Sequence, residues 1–186
     1  MMKKVVTEQY RAQLKQLHDQ NENFGVGSVT AKHYPLIARL VEKKGYQSVL
    51  DYGCGKGHFI EYVSQKLPLL VVHGFDVANE AYPTMPEEPV DLVVSLDVME
   101  HVEFGMLSNV LSEIRSVTRK AFICSIANYP AAKTLADGRN AHVTQLPFGQ
   151  WFSILSLHFR VDQFQRTEKR EGLFICTALK AQADWR

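Results

Sequence analysis

Apolar and polar residues follow a helical period over the first part of the chain. Residues 5–20 carry apolar side chains at steps of three and four, which predicts an amphipathic helix. A second helix is predicted from Thr30 to Lys44, ending at Gly45, a favourable C-cap that follows two lysines. We therefore expect residues 1–45 to form N-terminal helices. Two interpretations stay open: packing on the edge of the domain, or a lid over a ligand cleft.

Beyond residue 45, short apolar runs alternate with helical patterns. Strands are predicted at 48–51, 69–75, 91–96, 121–126, 158–166 and 173–180, and helices at 56–66, 105–117 and 150–157. This alternation predicts an α/β fold in three layers, with a sheet covered by helices on both faces and a terminal hairpin. Residues 77–90 contain three prolines and are too few for a full βαβ unit, so a strand–helix pair is predicted to be missing or vestigial there.

Composition and charge narrow the class of protein. The chain has 186 residues, 46% hydrophobic and 22% charged, as expected for one globular domain, with a net charge of +1. That charge argues against a polybasic protein surface that binds nucleic acid or a membrane. Cys54, Cys124 and Cys176 fit neither a disulfide framework nor a metal-ligand spacing. With no signal-peptide pattern and no membrane-length apolar run, a reduced, cytoplasmic location is expected.

The stretch from Ser48 to His58 is the most informative part of the sequence. It reads as a buried strand closed by Asp51, followed by three glycines at alternate positions (Gly53, Gly55 and Gly57) and then by helical spacing. Glycines permit a tight turn and a close approach of the backbone to a ligand, and the helix N-terminus offers free N–H groups. A strand, glycine-rich turn and helix in this order predict a nucleotide-binding site.

An acidic residue further along the chain supports this prediction. Asp76 follows the second strand, roughly twenty residues after the turn, where an acid accepts hydrogen bonds from a ribose. These features alone fit NAD or S-adenosylmethionine. A dinucleotide fold places its third glycine one residue further on, and Asp51 would repel a pyrophosphate. The same carboxylate suits a cationic sulfonium and amino group, so the charge favours S-adenosylmethionine.

Residues 49–57 resemble the first motif of class I S-adenosylmethionine-dependent methyltransferases, and Asp76 matches their ribose-binding acid. Residues 91–102 resemble the fourth-strand motif of the small-molecule branch of this family. The segment from Asp137 to His142, followed by a tryptophan, is similar to small stand-alone bacterial and phage methyltransferases. The resemblance covers about residues 45–126. It implies a Rossmann-like, mostly parallel sheet with a reversed last hairpin, shortened here between its second and fourth strands.

By this resemblance the cofactor is S-adenosylmethionine. The residues implied to bind it are Asp51, Gly53, Cys54, Gly55, Asp76, Val77, Ser95, Leu96 and Asp97. In the family, the glycine turn lines the methionine part, Asp76 the ribose and Val77 the adenine. The short 77–90 connection departs from the family, because it lacks the usual strand and adenine-facing loop.

The acceptor site is predicted from the two segments that follow the predicted strands at 91–96 and 121–126. His101 and His142 are the candidate catalytic residues, and residues 127–150 form an insertion expected to line the acceptor. Asp97, Glu100 and His101 are similar to an arrangement in some metal-assisted O-methyltransferases. The other interpretation is that Glu100 and His101 cap a helix and fix the loop. Whether a metal binds is left open.

The predicted function is methyl transfer from S-adenosylmethionine to a small molecule, at oxygen or nitrogen. One alternative is a protein that binds the cofactor in order to sense or cleave it. Nucleic-acid methylation is a further alternative, disfavoured because residues 95–98 read Ser-Leu-Asp-Val where DNA amino-methyltransferases carry an Asn/Asp-Pro-Pro-aromatic turn. The expected partner is therefore a small-molecule acceptor rather than nucleic acid or a membrane, and the oligomeric state is open.

Overall fold

The computed structural model describes residues 4–20, 30–167 and 170–179. Within them, strands form one six-stranded sheet in the order β2-β1-β3-β4-β6-β5. The strands are β1 (Ser48–Tyr52), β2 (Val71–Phe75), β3 (Val90–Leu96), β4 (Thr118–Ala127), β5 (Phe159–Arg166) and β6 (Glu171–Ala178). The first four are parallel, and β6 runs antiparallel to both β4 and β5. The predicted parallel sheet with an antiparallel C-terminal hairpin is confirmed.

Helices connect and flank these strands. They are α1 (Glu8–Gln20), α2 (Tyr34–Lys44), α3 (His58–Lys66), α4 (Leu107–Val117) and α5 (Phe148–Ser156). Short 3₁₀ turns lie at Thr30–His33, Met99–His101 and Phe104–Met106. The helices predicted from periodicity are all present, with ends that differ by a few residues.

The central strands bury alternate residues in two different clusters. Leu50, Val93 and Phe122 belong to one apolar cluster, which includes residues of α4 and α5. Their chain neighbours belong to a second cluster, which includes residues of α2 and α3: Val49, Leu92 and Ile123. Successive strand residues point to opposite faces, so the sheet is buried on both sides. This is the three-layer arrangement that the sequence predicts.

The connection between β2 and β3 contains turns but no helix or strand. It is nevertheless fastened to the glycine turn. The Asn79 Nδ2 donates to the Gly55 carbonyl at 2.6 Å, and the Asp76 N–H donates to the Tyr82 carbonyl at 2.9 Å. The predicted loss of a strand–helix pair is therefore confirmed, and β2 forms an edge of the sheet.

Helix α1 packs across both irregular segments. Its buried face (Val6 before the helix, then Tyr10, Leu14 and Leu17) forms a third apolar cluster with Ala78 of the 77–90 connection and with Leu135 and Ala141 of the insertion. The insertion contains one isolated bridge, between Thr134 and Asn140. Among the described residues, no helix is long and apolar enough to cross a membrane.

Candidate functional site

A cavity of about 390 Å³ lies where the carboxyl ends of β1, β2 and β3 meet. This edge of a parallel sheet is where open α/β folds bind ligands. The glycine turn, the residues after β2 and the residues after β3 form its wall, together with residues of α1 and of the insertion. The cavity thus brings together the two predicted regions, one for the cofactor and one for the acceptor.

The glycine turn has a backbone that only glycine adopts without strain. Gly53, Gly55 and Gly57 have φ angles of +79°, +53° and +80°. The Gly53 N–H donates to the Phe75 carbonyl at 2.7 Å, which joins the turn to the end of β2. A Cβ atom on Gly53 would overlap the side chain of Val98. The turn is therefore packed between the ends of β2 and β3.

Asp76 is held rigidly beside this turn. Its Oδ2 accepts a hydrogen bond from the Gly55 N–H at 2.9 Å, and its Oδ1 accepts one from the Ala78 N–H at 2.8 Å. Each carboxylate oxygen can accept more than one hydrogen bond, so this arrangement leaves capacity for ligand hydroxyls. Cys54 and Val77, also predicted to bind cofactor, line the same part of the cavity.

Asp51 is a buried carboxylate in the cavity wall. Burial raises its pKa to about 8, and the nearby Asp76 carboxylate contributes to the rise. Across residues 4–20, 30–167 and 170–179 we find no hydrogen-bond donor to this side chain. A desolvated carboxylate without a donor is stabilised by a cationic ligand. This environment fits the amino and sulfonium groups of S-adenosylmethionine.

The residues predicted at the end of β3 and just after it divide into two groups. Leu96 and Asp97 line the cavity. Asp97 has a φ angle of +54°, and its Oδ1 accepts a hydrogen bond from the Ser125 hydroxyl at 2.8 Å. Burial, followed by repulsion from Glu171, raises the pKa of Asp97 to about 6. Ser95 does not line the cavity: it is fully buried in β3, and its hydroxyl has no partner among the described residues.

His101 and His142 meet in the wall of the cavity. Their rings lie 4.7 Å apart at 84°. The His101 Nδ1–H donates to the Ala141 carbonyl at 2.8 Å, and the His142 Nδ1–H donates to the Tyr129 carbonyl at 2.5 Å. Because a carbonyl can only accept, these contacts place a proton on each Nδ1 and the lone pair on Nε2.

Both imidazoles are neutral near pH 7. Burial lowers the pKa of His101 to about 3, with a further contribution from His142. Burial also lowers the pKa of His142, partly offset by its bond to Tyr129. A neutral imidazole with a fixed tautomer can accept a proton or a hydrogen bond from a ligand.

Glu100 supports the loop from beneath. It is fully buried, and its Oε1 accepts a hydrogen bond from the Ala127 N–H at 2.7 Å. Burial and the nearby Asp97 raise the pKa of Glu100 well above its ordinary value. In the part of the chain that the structure describes, no group of three His, Cys, Asp or Glu residues could hold a metal ion. The bond to Ala127 agrees with the loop-fixing interpretation of Glu100, whose Oε2 has no hydrogen-bond partner among the described residues.

Several cavity residues were not in the predicted site. They include Tyr10 and His18 on α1 and Glu103 before α4, whereas Tyr129 and Lys133 belong to the insertion that was predicted to line the acceptor. Spacing could have identified His18, because it follows Tyr10 and Leu14 at steps of four along one helix face. The insertion residues have no comparable pattern, since that segment lacks periodicity.

The sheet order, the glycine turn after β1 and the acid after β2 define a Rossmann-like α/β domain of the methyltransferase class. A family model described as a methyltransferase domain matches residues 10–166, and the chain belongs to this family. The family resemblance of the sequence motifs is thereby confirmed. No curated protein matches the chain.

Solved methyltransferases share the fold at low sequence identity. The 1,6-didemethyltoxoflavin-N1-methyltransferase of Burkholderia thailandensis, bound to S-adenosylhomocysteine, is 16% identical, with 96% of this chain and 92% of that chain covered and a TM-score of 0.69. The magnesium protoporphyrin IX methyltransferase of Synechocystis, bound to S-adenosylmethionine, is 16% identical, with 95% and 100% covered and a TM-score of 0.63. A mitomycin 7-O-methyltransferase is 14% identical, with 89% and 60% covered and a TM-score of 0.65. At these identities the similarity shows the fold.

Proposed function

We propose that the protein transfers a methyl group from S-adenosylmethionine to an oxygen or nitrogen of a small molecule. The observation that carries this proposal is the buried, donor-free carboxylate of Asp51 beside the glycine turn, in a cavity that also contains the neutral His101–His142 pair. Solved proteins of this fold are named for methylation of nitrogen and of oxygen, so the choice between these atoms remains open.

The cofactor-binding residues in this proposal follow the chemistry of the cofactor. S-adenosylmethionine supplies an electrophilic methyl group on a cationic sulfonium. Asp51 offsets positive charge near the methionine part, and Asp76 accepts hydrogen bonds from the ribose. The remaining proposed residues line the cavity and contact the cofactor there: Gly53, Cys54, Gly55, Val77, Leu96 and Asp97. Ser95 contributes only through its place in β3.

The acceptor-binding residues would be the histidines and the insertion. Methyl transfer is an in-line displacement, so holding the acceptor against the cofactor provides much of the catalysis. His142 Nε2 accepts the proton that an acceptor O–H or N–H loses, and His101 orients the acceptor beside it. The lowered pKa values keep both rings neutral, as a hydrogen-bond acceptor requires.

A small acceptor is consistent with the dimensions of the site. One cavity of about 390 Å³ must hold the reacting part of both cofactor and acceptor. Helix α1 lines one side and the insertion another, so a polymer would have to displace them. These features favour a small molecule over a nucleic acid.

The proposal also includes the wider organisation of the chain. We treat residues 1–186 as a single methyltransferase domain, with the insertion at 127–150 serving the acceptor. Cys54, Cys124 and Cys176 are buried free thiols, which agrees with a reducing, cytoplasmic location.

Titration calorimetry with S-adenosylmethionine and S-adenosylhomocysteine tests the proposal directly. Asp51→Asn should weaken binding about tenfold or more, as expected for the loss of one charge-assisted contact. Asp19→Asn is a matched control, because Asp19 is exposed on α1. Absence of binding to the wild-type protein would contradict the proposal. Formation of the demethylated product without any acceptor would instead support the alternative of cofactor cleavage.

A further inference from the structure

Helix α1 extends along the length of the cavity. Tyr10, Leu14 and His18 lie on the same helix face at steps of four, and all three line the cavity. At about 1.5 Å rise per residue, Tyr10 and His18 are about 12 Å apart along the helix axis. One helix thus lines both ends of the site.

The Tyr10 end lies at the acceptor side. The Tyr10 hydroxyl donates to the His101 carbonyl at 2.7 Å, and the Arg139 guanidinium lies 5.7 Å from the centre of its ring. The N-terminus of the helix is anchored nearby, since both Glu103 carboxylate oxygens accept hydrogen bonds from Thr7 at 2.9 Å.

The His18 end lies at the predicted nucleoside side. Burial lowers the pKa of His18, whereas the Asp76 carboxylate raises it and Lys56 lowers it further. His18 is therefore close enough to interact electrostatically with the acid expected to bind the ribose. Val77, which the resemblance assigns to the adenine, also lines the cavity.

The short 77–90 connection leaves the predicted nucleoside end without a regular element of its own. It provides no strand or helix to cover the nucleoside end. Instead, Leu14 and Leu17 of α1 belong to the same apolar cluster as Ala78, immediately beyond the end of β2. Helix α1 thus packs against this connection.

We propose that His18 is a cofactor-binding residue at the nucleoside end, and that α1 closes over the bound cofactor. This inference rests on the proposed use of S-adenosylmethionine. A neutral imidazole has one N–H donor and one acceptor. A ribose hydroxyl that donates to Asp76 can accept from the His18 N–H, so the two side chains bind the same sugar from opposite sides.

Towards this end, polar contacts add little to the packing of α1. Lys15 pairs with Glu80 at 2.9 Å, and Gln13 donates to Asp137 at 3.0 Å, and both contacts are solvent-exposed. Exposed pairs contribute little to stability, so the helix is held here mainly by the apolar contacts of Leu14 and Leu17, which must separate when it opens. The partly buried Thr7–Glu103 bonds and the bond from the buried Tyr10 lie at the other end, where a hinge would be.

Binding of S-adenosylhomocysteine and of 5′-methylthioadenosine to the full chain tests the inference. Both probes contain the nucleoside, but only the first has the amino-acid part. His18→Ala should weaken both about tenfold, the loss of one buried hydrogen bond. His18→Asn, which keeps a donor and an acceptor, should recover part of the affinity. Gln16→Ala, at an exposed position of the same helix, should leave both affinities unchanged.

Hydrogen exchange of the α1 amides provides a second measurement, independent of turnover. S-adenosylhomocysteine should slow exchange across α1 in the wild-type protein and slow it much less in His18→Ala. Unchanged affinities in His18→Ala, or a loss for S-adenosylhomocysteine alone, would overturn the assignment of His18. A wild-type protein that binds neither probe would overturn the proposed function itself.

Discussion

The hydroxyl of Tyr10 donates a 2.7 Å hydrogen bond to the backbone carbonyl of His101. This bond joins α1 to the loop that carries one of the two candidate catalytic histidines. Tyr10 is 1% exposed, and burial, together with the Glu103 carboxylate, raises its pKa above the ordinary value. The hydroxyl therefore remains protonated and keeps its role as the donor.

Replacing Tyr10 with Phe removes this bond while keeping the ring against Arg139. We expect the free energy of unfolding to fall by about 1 kcal/mol, the usual net value of a hydrogen bond. Chemical denaturation measures this loss. Tyr62→Phe is the control, because we find no hydrogen bond to the Tyr62 hydroxyl within the described residues. Equal losses in the two variants would show that the bond to His101 contributes nothing.

Replacing His142 with Ala should lower turnover by about 10²-fold or more, the range expected for a lost general base. Affinity for S-adenosylmethionine should change little, because His142 and its partner Tyr129 both lie in the insertion proposed to bind the acceptor. Steady-state kinetics and calorimetry separate the two quantities. His73→Ala, in β2 and outside the cavity wall, is the matched control. A loss confined to cofactor binding would contradict the role of His142.

A chelator should leave turnover unchanged. The described residues contain no group of three His, Cys, Asp or Glu side chains able to hold a metal ion. Initial rates with and without chelator, followed by readdition of Mg²⁺, measure the effect. Loss of turnover that Mg²⁺ restores would support the metal-assisted mechanism instead.

The sequence predicted those parts of the fold that depend on local patterns. Hydrophobic periodicity located the strands, and the length of the 77–90 connection predicted the missing pair. It did not predict contacts between distant segments. Glu171, at the start of β6, is 1% exposed and bonded to His33 at 2.5 Å and to Lys32, although 138 residues separate it from His33. Such a pair depends on packing, which periodicity does not encode.

In the candidate site, too, the residues that could be predicted are those that local sequence patterns place together. Asp51, the glycine turn and Asp76 were recognisable because one strand–turn–helix unit and the next strand end place them together. Position on a strand, however, does not decide which residues reach the cavity, and Ser95 does not line it. His18 was missed because its role depends on how α1 packs across the cavity.

Replacing Gly57 with Ala should destabilise the protein by about 2 kcal/mol or more. Its φ angle of +80° is costly for any residue with a Cβ atom, and that atom would overlap the Tyr82 hydroxyl. Gly105→Ala is the control, since the φ angle of Gly105 lies outside the left-handed region and the space around its Cβ position is open. Thermal and chemical unfolding compare the two. Similar stability of both variants would show that the turn relaxes without strain.

The stability of the free protein should fall as pH rises, because of Asp51. Its pKa is about 8 in the folded state and 3.8 in a model peptide, so between these values the folded state holds a proton that the unfolded state has lost. The fall in the free energy of unfolding is complete above about pH 8. It amounts to at most about 1.4 kcal/mol for each unit by which folding raises the pKa of Asp51. Asp51→Asn should remove this slope and stabilise the free protein at alkaline pH.

Cofactor binding should offset the loss of stability that the free protein shows as pH rises, because a bound cation favours the ionised form of Asp51. Affinity of the wild-type protein for S-adenosylmethionine should therefore increase as pH rises towards about 8, and binding below that pH should release a proton. Calorimetry in buffers of different ionisation enthalpy measures the released proton, and Asp51→Asn should release none. If the wild-type protein and Asp51→Asn release equal numbers of protons, Asp51 is not the group that binds the cationic end of the cofactor.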